Sequence, residues 1–254
     1  SAVLDYDGDG DLDILYIGSA VAPAVQGLNV MLNIPGGFAP ATTIAAFSVF
    51  QGAALFADAD SIPDFVVASS PIYQPFPPQQ LRTVNVVSGA DGSLIAGLGT
   101  VSSLSADGAF GGAITTGDLD GDNDTDILYE GLAYLRSGAA FVAGPGAAVT
   151  AVPSNMPFRL VVVDVDQDGL NDVLDMNGFF QAGLVGGGFA APVAFETNGV
   201  GVLGDFDRDG DPDMLDGGGR LRTNVTAGLF RGRTAAIGRT SSIEARGPAN
   251  ASFD

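Results

Sequence analysis

The chain has 254 residues, 46% of them hydrophobic, and a formal net charge of −20 from 30 acidic side chains against 10 arginines. It contains no cysteine, histidine, tryptophan or lysine. This balance argues against nucleic acid or an anionic membrane as partner, rules out disulfide and thiolate chemistry, and removes the commonest general base and zinc ligand. No apolar run reaches the length of a membrane span, since the nearest, residues 139–151, is interrupted by Gly144, Pro145 and Gly146.

Ser1–Leu4 reads as the end of a strand, as in an excised segment with further chain expected upstream. Asp5–Asp13 (DYDGDGDLD) follows directly and is the first of four copies of one nine-residue acidic pattern. The others are Asp118–Asp126 (DLDGDNDTD), Asp164–Asp172 (DVDQDGLND) and Asp205–Asp213 (DFDRDGDPD). Aspartate stands at positions 1, 3, 5 and 9 of each copy: Asp5, Asp7, Asp9 and Asp13; Asp118, Asp120, Asp122 and Asp126; Asp164, Asp166, Asp168 and Asp172; Asp205, Asp207, Asp209 and Asp213. Position 6 is Gly10, Asn123, Gly169 or Gly210, the residue types that tolerate the positive φ of a sharp turn. Clustered carboxylates repel unless a hard cation sits among them, and calcium takes six to eight oxygens in flexible geometry. The expected ligands are these side chains plus the carbonyl of position 7: Asp11, Asp124, Leu170 or Asp211. Leu170 points to the carbonyl, because its side chain cannot coordinate. About four calcium ions are expected.

An EF-hand loop shares positions 1, 3, 5 and 6 but lies between helices and needs an acid at position 12. Here position 12 is Tyr16, Tyr129, Asp175 or Asp216, and the flanks are short β-branched or aliphatic runs such as Val161-Val162-Val163 and Ile127-Leu128-Tyr129. Such runs read as strands. These are strand–loop–strand sites.

A fifth, damaged copy is expected near residues 52–67. Matching Gly52–Asp60 to Gly112–Asp120 places two deleted residues after Asp60, with Asp58, Asp60 and Asp64 surviving. This loop is expected to bind calcium weakly or not at all. Next comes a proline-rich insertion, Ser69–Gln80, read as a surface excursion and more readily as an unstructured loop than as a contact site. A hairpin through Asp91-Gly92 follows. Downstream of the four intact loops the chain reads as a third strand, a glycine turn and a fourth strand opening with Phe38, Phe141, Phe189 or Phe230, with these rings expected in the core. Six of the ten arginines lie at or after Arg220, giving a locally basic end. Of three Asn-x-Ser/Thr sequons, at Asn123, Asn224 and Asn250, the first lies inside a calcium loop and is not expected to be modified.

Each repeat is therefore strand, calcium loop, strand, turn, strand, turn, strand, over roughly 40–60 residues, which is the grammar of propeller blades. The expected fold is all-β, a β-propeller of about five visible four-stranded blades at roughly 1–45, 46–105, 106–152, 153–194 and 195–235. Residues 236–254 read as the start of an appended β-domain or a tail.

The DxDxDGxxD loop followed by an Ile-Leu or Val-Leu strand, and the stretch Asn85–Leu94, resemble the FG-GAP/VCBS repeat family, best known from the integrin alpha-subunit propeller. The resemblance spans about residues 1–235. It implies calcium loops joining the first two strands of each blade, all on one rim, and a ligand face opposite. It also implies about seven blades, so the five here would form a smaller ring or part of a larger one.

The reading that follows is a calcium-stabilised extracellular adhesion or binding scaffold, with a protein or glycan partner at the cell surface or matrix, no membrane insertion and no catalytic residues. Extracellular calcium is millimolar, which suits sites of modest affinity. The alternatives are a polysaccharide-degrading lyase or glycosidase and a plain spacer within a larger surface protein. An enzyme needs two carboxylates facing across a cleft. Outside the loops Glu130, Glu196, Asp91, Asp107, Asp175 and Asp216 are the candidates, with Glu130 expected at a solvated strand end.

Overall fold

The computed structural model describes residues 2–19, 26–45, 49–69, 72–75, 78–103, 114–147, 160–175, 178–194, 200–216, 218–224 and 231–236. They form an all-β, five-bladed propeller of small antiparallel sheets. Blade I is Ala2–Leu4, Asp13–Ser19, Gln26–Met31 and Thr42–Ala45. Blade II is Val49–Leu55, Asp64–Ser69, Pro78–Val87 and Leu94–Ser103. Blade III is Ile114–Gly117, Asp126–Tyr129, Leu132–Ser137 and Ala140–Ala143. Blade IV is Leu160–Val163, Asp172–Asp175, Phe179–Gln181 and Val193–Ala194. Blade V is Val200–Gly204, Asp213–Asp216, Arg220–Thr223 and Arg231–Ala236.

The second strands explain why the apolar runs do not alternate with polar residues. Asp126–Tyr129 and Asp172–Asp175 are buried along their whole length, because neighbouring blades cover both faces of the sheet. Successive side chains of a strand point to opposite faces, and they enter opposite seams. Ile127 joins the cluster shared with blade II and Leu128 the cluster shared with blade IV. Val173 then packs toward blade III and Leu174 toward blade V. Four apolar clusters result, one at each seam from I/II to IV/V.

Two expectations are corrected. Phe38 and Phe189 do not open fourth strands. They belong to two-residue ribbons, Asn33–Ile34 with Gly37–Phe38 and Gly183–Leu184 with Gly188–Phe189, inserted before the fourth strands. Phe141 does lie in a fourth strand and packs on the II/III cluster, whereas Phe38 is exposed. The proline-rich excursion is structured: Ile72–Pro75 pairs with Pro78–Leu81 on the edge of the long third strand of blade II. Both facing prolines, Pro75 and Pro78, form the last pair of this ladder, at the end where the two strands connect, and a ladder end is where a missing N–H costs least. The hairpin at Asp91-Gly92 is present, with Gly92 at φ 72° and Ser93 N–H donating to Asp91. Phe230 and residues 237–254 lie outside the described residues.

Candidate metal centre

Each acidic loop leaves its blade at one fixed point. The last residue of the first strand pairs with position 9: Leu4 with Asp13, Gly117 with Asp126, Val163 with Asp172 and Gly204 with Asp213. In blade II, Leu55 pairs with Asp64 in the same way. That register overturns the expected deletion. The fifth loop has its full nine residues, Phe56–Asp64, with Asp58 at position 3, Asp60 at position 5 and Phe56 in place of the first aspartate. Its amides confirm the register, since Asp60 N–H donates to Asp58 and Ile62 N–H to Asp60, as Asp9 N–H does to Asp7 and Asp11 N–H to Asp9 in blade I. Asp58-Ala59-Asp60 therefore fills positions 3 to 5 of the loop and not 1 to 3.

The turn is held by the carboxylates themselves. Position 1 accepts the amide of position 6, as in Gly10 to Asp5 at 3.1 Å, Asn123 to Asp118 at 2.9 Å, Gly169 to Asp164 at 3.0 Å and Gly210 to Asp205 at 3.2 Å. Position 6 has positive φ in all four, Asn123 included at 67°. Position 4 does too, and there Gln167 and Arg208 adopt φ of 61° and 63° where glycine stands in the other two copies. The sequence pattern gave no sign of this second left-handed position.

Position 9 has a larger role than ligand. Asp13, Asp64, Asp126, Asp172 and Asp213 are fully buried. One oxygen accepts the amide of position 2: Tyr6, Ala57, Leu119, Val165 or Phe206, at 2.7–2.8 Å. The other accepts an amide beyond the second strand: Asn33, Gly89, Arg136, Gly183 or Asn224. This carboxylate closes its loop and ties it to the third-strand side of the blade.

The loops gather carboxylate oxygens within 4.8 Å of one another in five groups. Positions 1, 3 and 9 meet in blades I, IV and V (Asp5, Asp7, Asp13; Asp164, Asp166, Asp172; Asp205, Asp207, Asp213). Positions 1, 3 and 5 meet in blade III (Asp118, Asp120, Asp122), and Asp58, Asp60 and Asp64 meet in blade II. Asp9, Asp168 and Asp209 stay outside these groups and accept the position 7 amides of Asp11, Leu170 and Asp211.

The donor set fits a hard divalent cation, on two observations. Asp11 Oδ1, Asp164 Oδ1 and Asp211 Oδ1 are buried yet accept no hydrogen bond, and a buried carboxylate oxygen without a partner is costly. Protons are also held unusually tightly. Burial, with Asp209 and Asp213 beside it, pushes Asp211 up to about 6. Burial raises Asp11 too, with Asp9, Asp13, Asp7 and Asp5 adding to it. Asp126 is pushed to about 6 by burial, against the opposing amides of Arg136 and Leu119. A cation would reverse this tendency by favouring the ionised forms. The orphaned oxygens of Asp11 and Asp211 add side chains at position 7, where only carbonyls were expected. Asp124, the third aspartate at that position, instead leans toward Arg136 at 4.0 Å.

The loops are stitched to neighbouring blades by side chains that the motif does not include. Arg136 donates through Nη1 to the Phe56 carbonyl and through Nη2 to the Ala57 carbonyl at 3.1 Å. Asn171 donates to the Asp118 carbonyl at 2.8 Å, Asn224 to the Val165 carbonyl at 2.6 Å, and Gln167 to the Gly210 carbonyl at 3.2 Å. The Tyr6 hydroxyl donates to the Gly89 carbonyl at 2.6 Å. Asn224 is thereby buried, so its sequon is closed to modification in the fold.

Of the remaining carboxylates, Asp216 takes a structural position. Asp216 accepts the amides of Gly218 and Arg220 and pairs with Arg222 at 3.3 Å. Burial raises its pKa, but these donors outweigh burial and hold it below the ordinary range. Asp175 is buried. Glu130 is not at a solvated strand end. It is half-buried at φ 49° in the turn after Tyr129, where burial raises its carboxyl and Arg82 opposes that. Asp91 is exposed at its hairpin tip, and Asp107 and Glu196 lie outside the described residues.

No family profile matches the chain, and neither does any curated protein. Among solved structures it is similar to the V. cholerae biofilm matrix protein Bap1, at 17% identity and a TM-score of 0.45, over 83% of this chain and 33% of that one. The chain thus spans about a third of the length of that protein.

Proposed function

We propose that this chain is a calcium-stabilised extracellular binding scaffold without catalysis, whose partner is a protein or glycan of the cell surface or matrix. The observation that carries it is the set of buried, unpartnered carboxylate oxygens inside repeated acidic turns, Asp211 Oδ1 above all, in a residue 3% exposed. Calcium suits these loops better than magnesium, which demands near-ideal octahedral geometry and keeps several waters. The resemblance of the loops to FG-GAP/VCBS repeats supports calcium, an extracellular setting and adhesion together. The engagement of Asp216 by Arg222 and by the Gly218 and Arg220 amides favours a scaffold over a glycosidase or lyase.

The ion, when bound, supplies positive charge that offsets carboxylate repulsion, and anything that binds only the folded state raises stability by mass action. The test is a thermal melt in EDTA and across a calcium titration, with magnesium as control and calorimetry for stoichiometry. A calcium-specific rise with about four ions bound supports the reading. No shift, or an equal response to magnesium, counts against it. A glycan and matrix-protein screen in calcium then seeks the partner. Turnover of a polysaccharide that is lost in Asp216→Asn would replace the scaffold with an enzyme.

A further inference from the structure

Arg82 and Tyr129 are the two largest fully buried side chains among the described residues, at 1% and 0% exposed. They meet at the seam of blades II and III, at the strand ends away from the acidic loops. Tyr129 closes the second strand that Asp126 opens. Arg82 lies on the strand face of Val84 and Val86, five residues before Val87, which pairs with Phe65 beside the blade II loop. The Tyr129 hydroxyl faces the Arg82 guanidinium and the Glu130 carboxylate, close enough for both charges to act on it. Yet that hydroxyl and Glu130 Oε1 are buried and make no hydrogen bond. Glu130 also holds a positive φ of 49°, a conformation that is costly for a residue with a side chain. Unpartnered buried polar atoms and a strained backbone at one spot point to a ligand that offsets both.

Blade II supplies a wall beside this spot. Its third and fourth strands have ten residues each, against two to six in the other blades. The second strand stops at Ser69, whose Oγ accepts Thr83 N–H. Pro78–Arg82 continues past that point between Ile72–Pro75 and Val101–Ser103, and five residues of strand rise ~16 Å. At the foot of the wall are the Glu130-Gly131 turn and Leu132, which pairs with Tyr129 and is 46% exposed. We propose that this corner is a glycan subsite, in which Tyr129 and Glu130 hold two adjacent hydroxyls of a neutral sugar beside Arg82, with Leu132 against its C–H face. The subsite makes glycan, not protein, the partner of the scaffold reading on which it rests, and it does not need calcium. A carboxylate oxygen needs a donor, a phenol hydroxyl donates or accepts, and a guanidinium only donates. A sugar hydroxyl does both, so an adjacent pair serves the whole set. Glu130 repels an anion and Arg82 a cation, which leaves a neutral, polyhydroxylated ligand. Glu130 is half-buried and forms the mouth. Because Oε1 is held by no hydrogen bond, this side chain swings aside readily and opens the hydroxyl behind it. One carboxylate stands here, not the facing pair that glycoside hydrolysis uses, so the site binds without cleaving.

Stability and binding of the full chain test this together. Tyr129→Phe removes a hydroxyl that bonds to nothing in the free protein. Its melting temperature should therefore equal or exceed the parent's, while glycan affinity falls about tenfold or more. Glu130→Gln replaces a charged acceptor with a neutral one and should weaken binding by a similar factor. Binding is read by calorimetry against oligosaccharides of dextran, mannan, galactan and xylan, with oligogalacturonate as the anionic control. At least one neutral oligosaccharide is expected to bind, and more tightly than oligogalacturonate. No neutral oligosaccharide bound, a preference for oligogalacturonate, or binding that both variants leave unchanged overturns the proposal. So does a lower melting temperature for Tyr129→Phe, which would mean that a buried water alone completes the hydroxyl. Calcium melts of the same samples keep the two readings apart. A calcium-specific rise with no glycan bound leaves the scaffold and ends the subsite. Glycan bound by a protein that calcium does not stabilise keeps the subsite and ends the calcium reading.

Discussion

Asp126→Ala separates the structural role of position 9 from its role as a ligand. The Asp126 carboxylate is fully buried and accepts Leu119 N–H at 2.7 Å and Arg136 N–H at 2.6 Å. Alanine leaves both amides buried without an acceptor, at about 1–3 kcal/mol each, or roughly 2–6 kcal/mol together. For a chain of this size about 1 kcal/mol moves the melting temperature by roughly 2–4 °C, so a fall of roughly 5–20 °C is expected. The fall should appear in EDTA as well as in calcium, because neither lost bond involves the ion. The matched control is Asp122→Asn, at the exposed position 5 of the same loop. Its amide oxygen still accepts the Asp124 amide, now 2.8 Å from the carboxylate, so in EDTA it should stay within about 0.5 kcal/mol of the parent. In calcium it loses a charged ligand and should show a smaller calcium-induced rise. The assay is four melts per protein: each variant and the parent, with and without calcium. If Asp126→Ala matches the parent in EDTA and differs only in calcium, the aspartate is a ligand alone and the two-amide argument is wrong.

Phe56→Asp supplies the one acid missing from the blade II loop and is expected to raise the number of calorimetrically counted ions by one; an unchanged count would mean that the loop is held shut by something other than the lost aspartate. Arg136→Met removes the guanidinium bonds to the Phe56 and Ala57 carbonyls and should cost about 2 kcal/mol in calcium and EDTA alike, measured by denaturant titration. Gly89→Ala puts a Cβ 1.9 Å from the Pro63 carbonyl oxygen and is expected to cost about 3 kcal/mol or more; a near-neutral variant would place that hairpin elsewhere. Asp126 and Asp211 hold protons more tightly folded than unfolded, with pKa raised from 3.8 to about 6. Their contribution is present below the unfolded pKa and is lost as pH rises through about 6. Asp91 and Asp216, held below the ordinary range, act in the opposite sense, and only at lower pH. In EDTA the melting temperature should therefore fall between about pH 4 and pH 6, and calcium should flatten that fall. An EDTA profile that rises over this interval contradicts the assignment.

The sequence exposed the loops and their flanking strands because that information is local. Aspartates at alternate positions cannot be buried in a core, and Ile127-Leu128 or Val173-Leu174 beside them cannot be left in water, so the boundary between loop and strand falls between adjacent residues. Local information also misled. Asp58-Ala59-Asp60 looked like the start of a loop because it repeats the first half of the motif. Only the pairing of Leu55 with Asp64 identifies Phe56 as position 1. The bonds of Arg136, Asn171 and Asn224 were not legible at all. Each spans more than fifty residues, and an arginine or asparagine outside the motif carries no mark of the carbonyl it will meet. Gln167 and Arg208 at positive φ escaped notice for a related reason: the turn imposes the conformation, and the residue only tolerates it.

These long-range bonds determine how far the effect of an ion can travel. Asp213 accepts the Asn224 amide while the Asn224 side chain holds the Val165 carbonyl in the loop of blade IV. Val165 gives its own amide to Asp172, and Asn171, next to Asp172, holds the Asp118 carbonyl in the loop of blade III. In blade III Asp126 accepts the Arg136 amide, and the Arg136 guanidinium holds the loop of blade II. Each loop thus rests on the next through groups anchored to a position 9 aspartate, itself part of the cation group in blades I, II, IV and V. Ordering one loop orders a contact of its neighbour, so the loops are linked parts of one rim and not five separate sites. Calcium occupancy should rise more steeply with concentration than independent sites allow, and Asn224→Ala, which cuts one link while sparing every aspartate, should make that rise shallower.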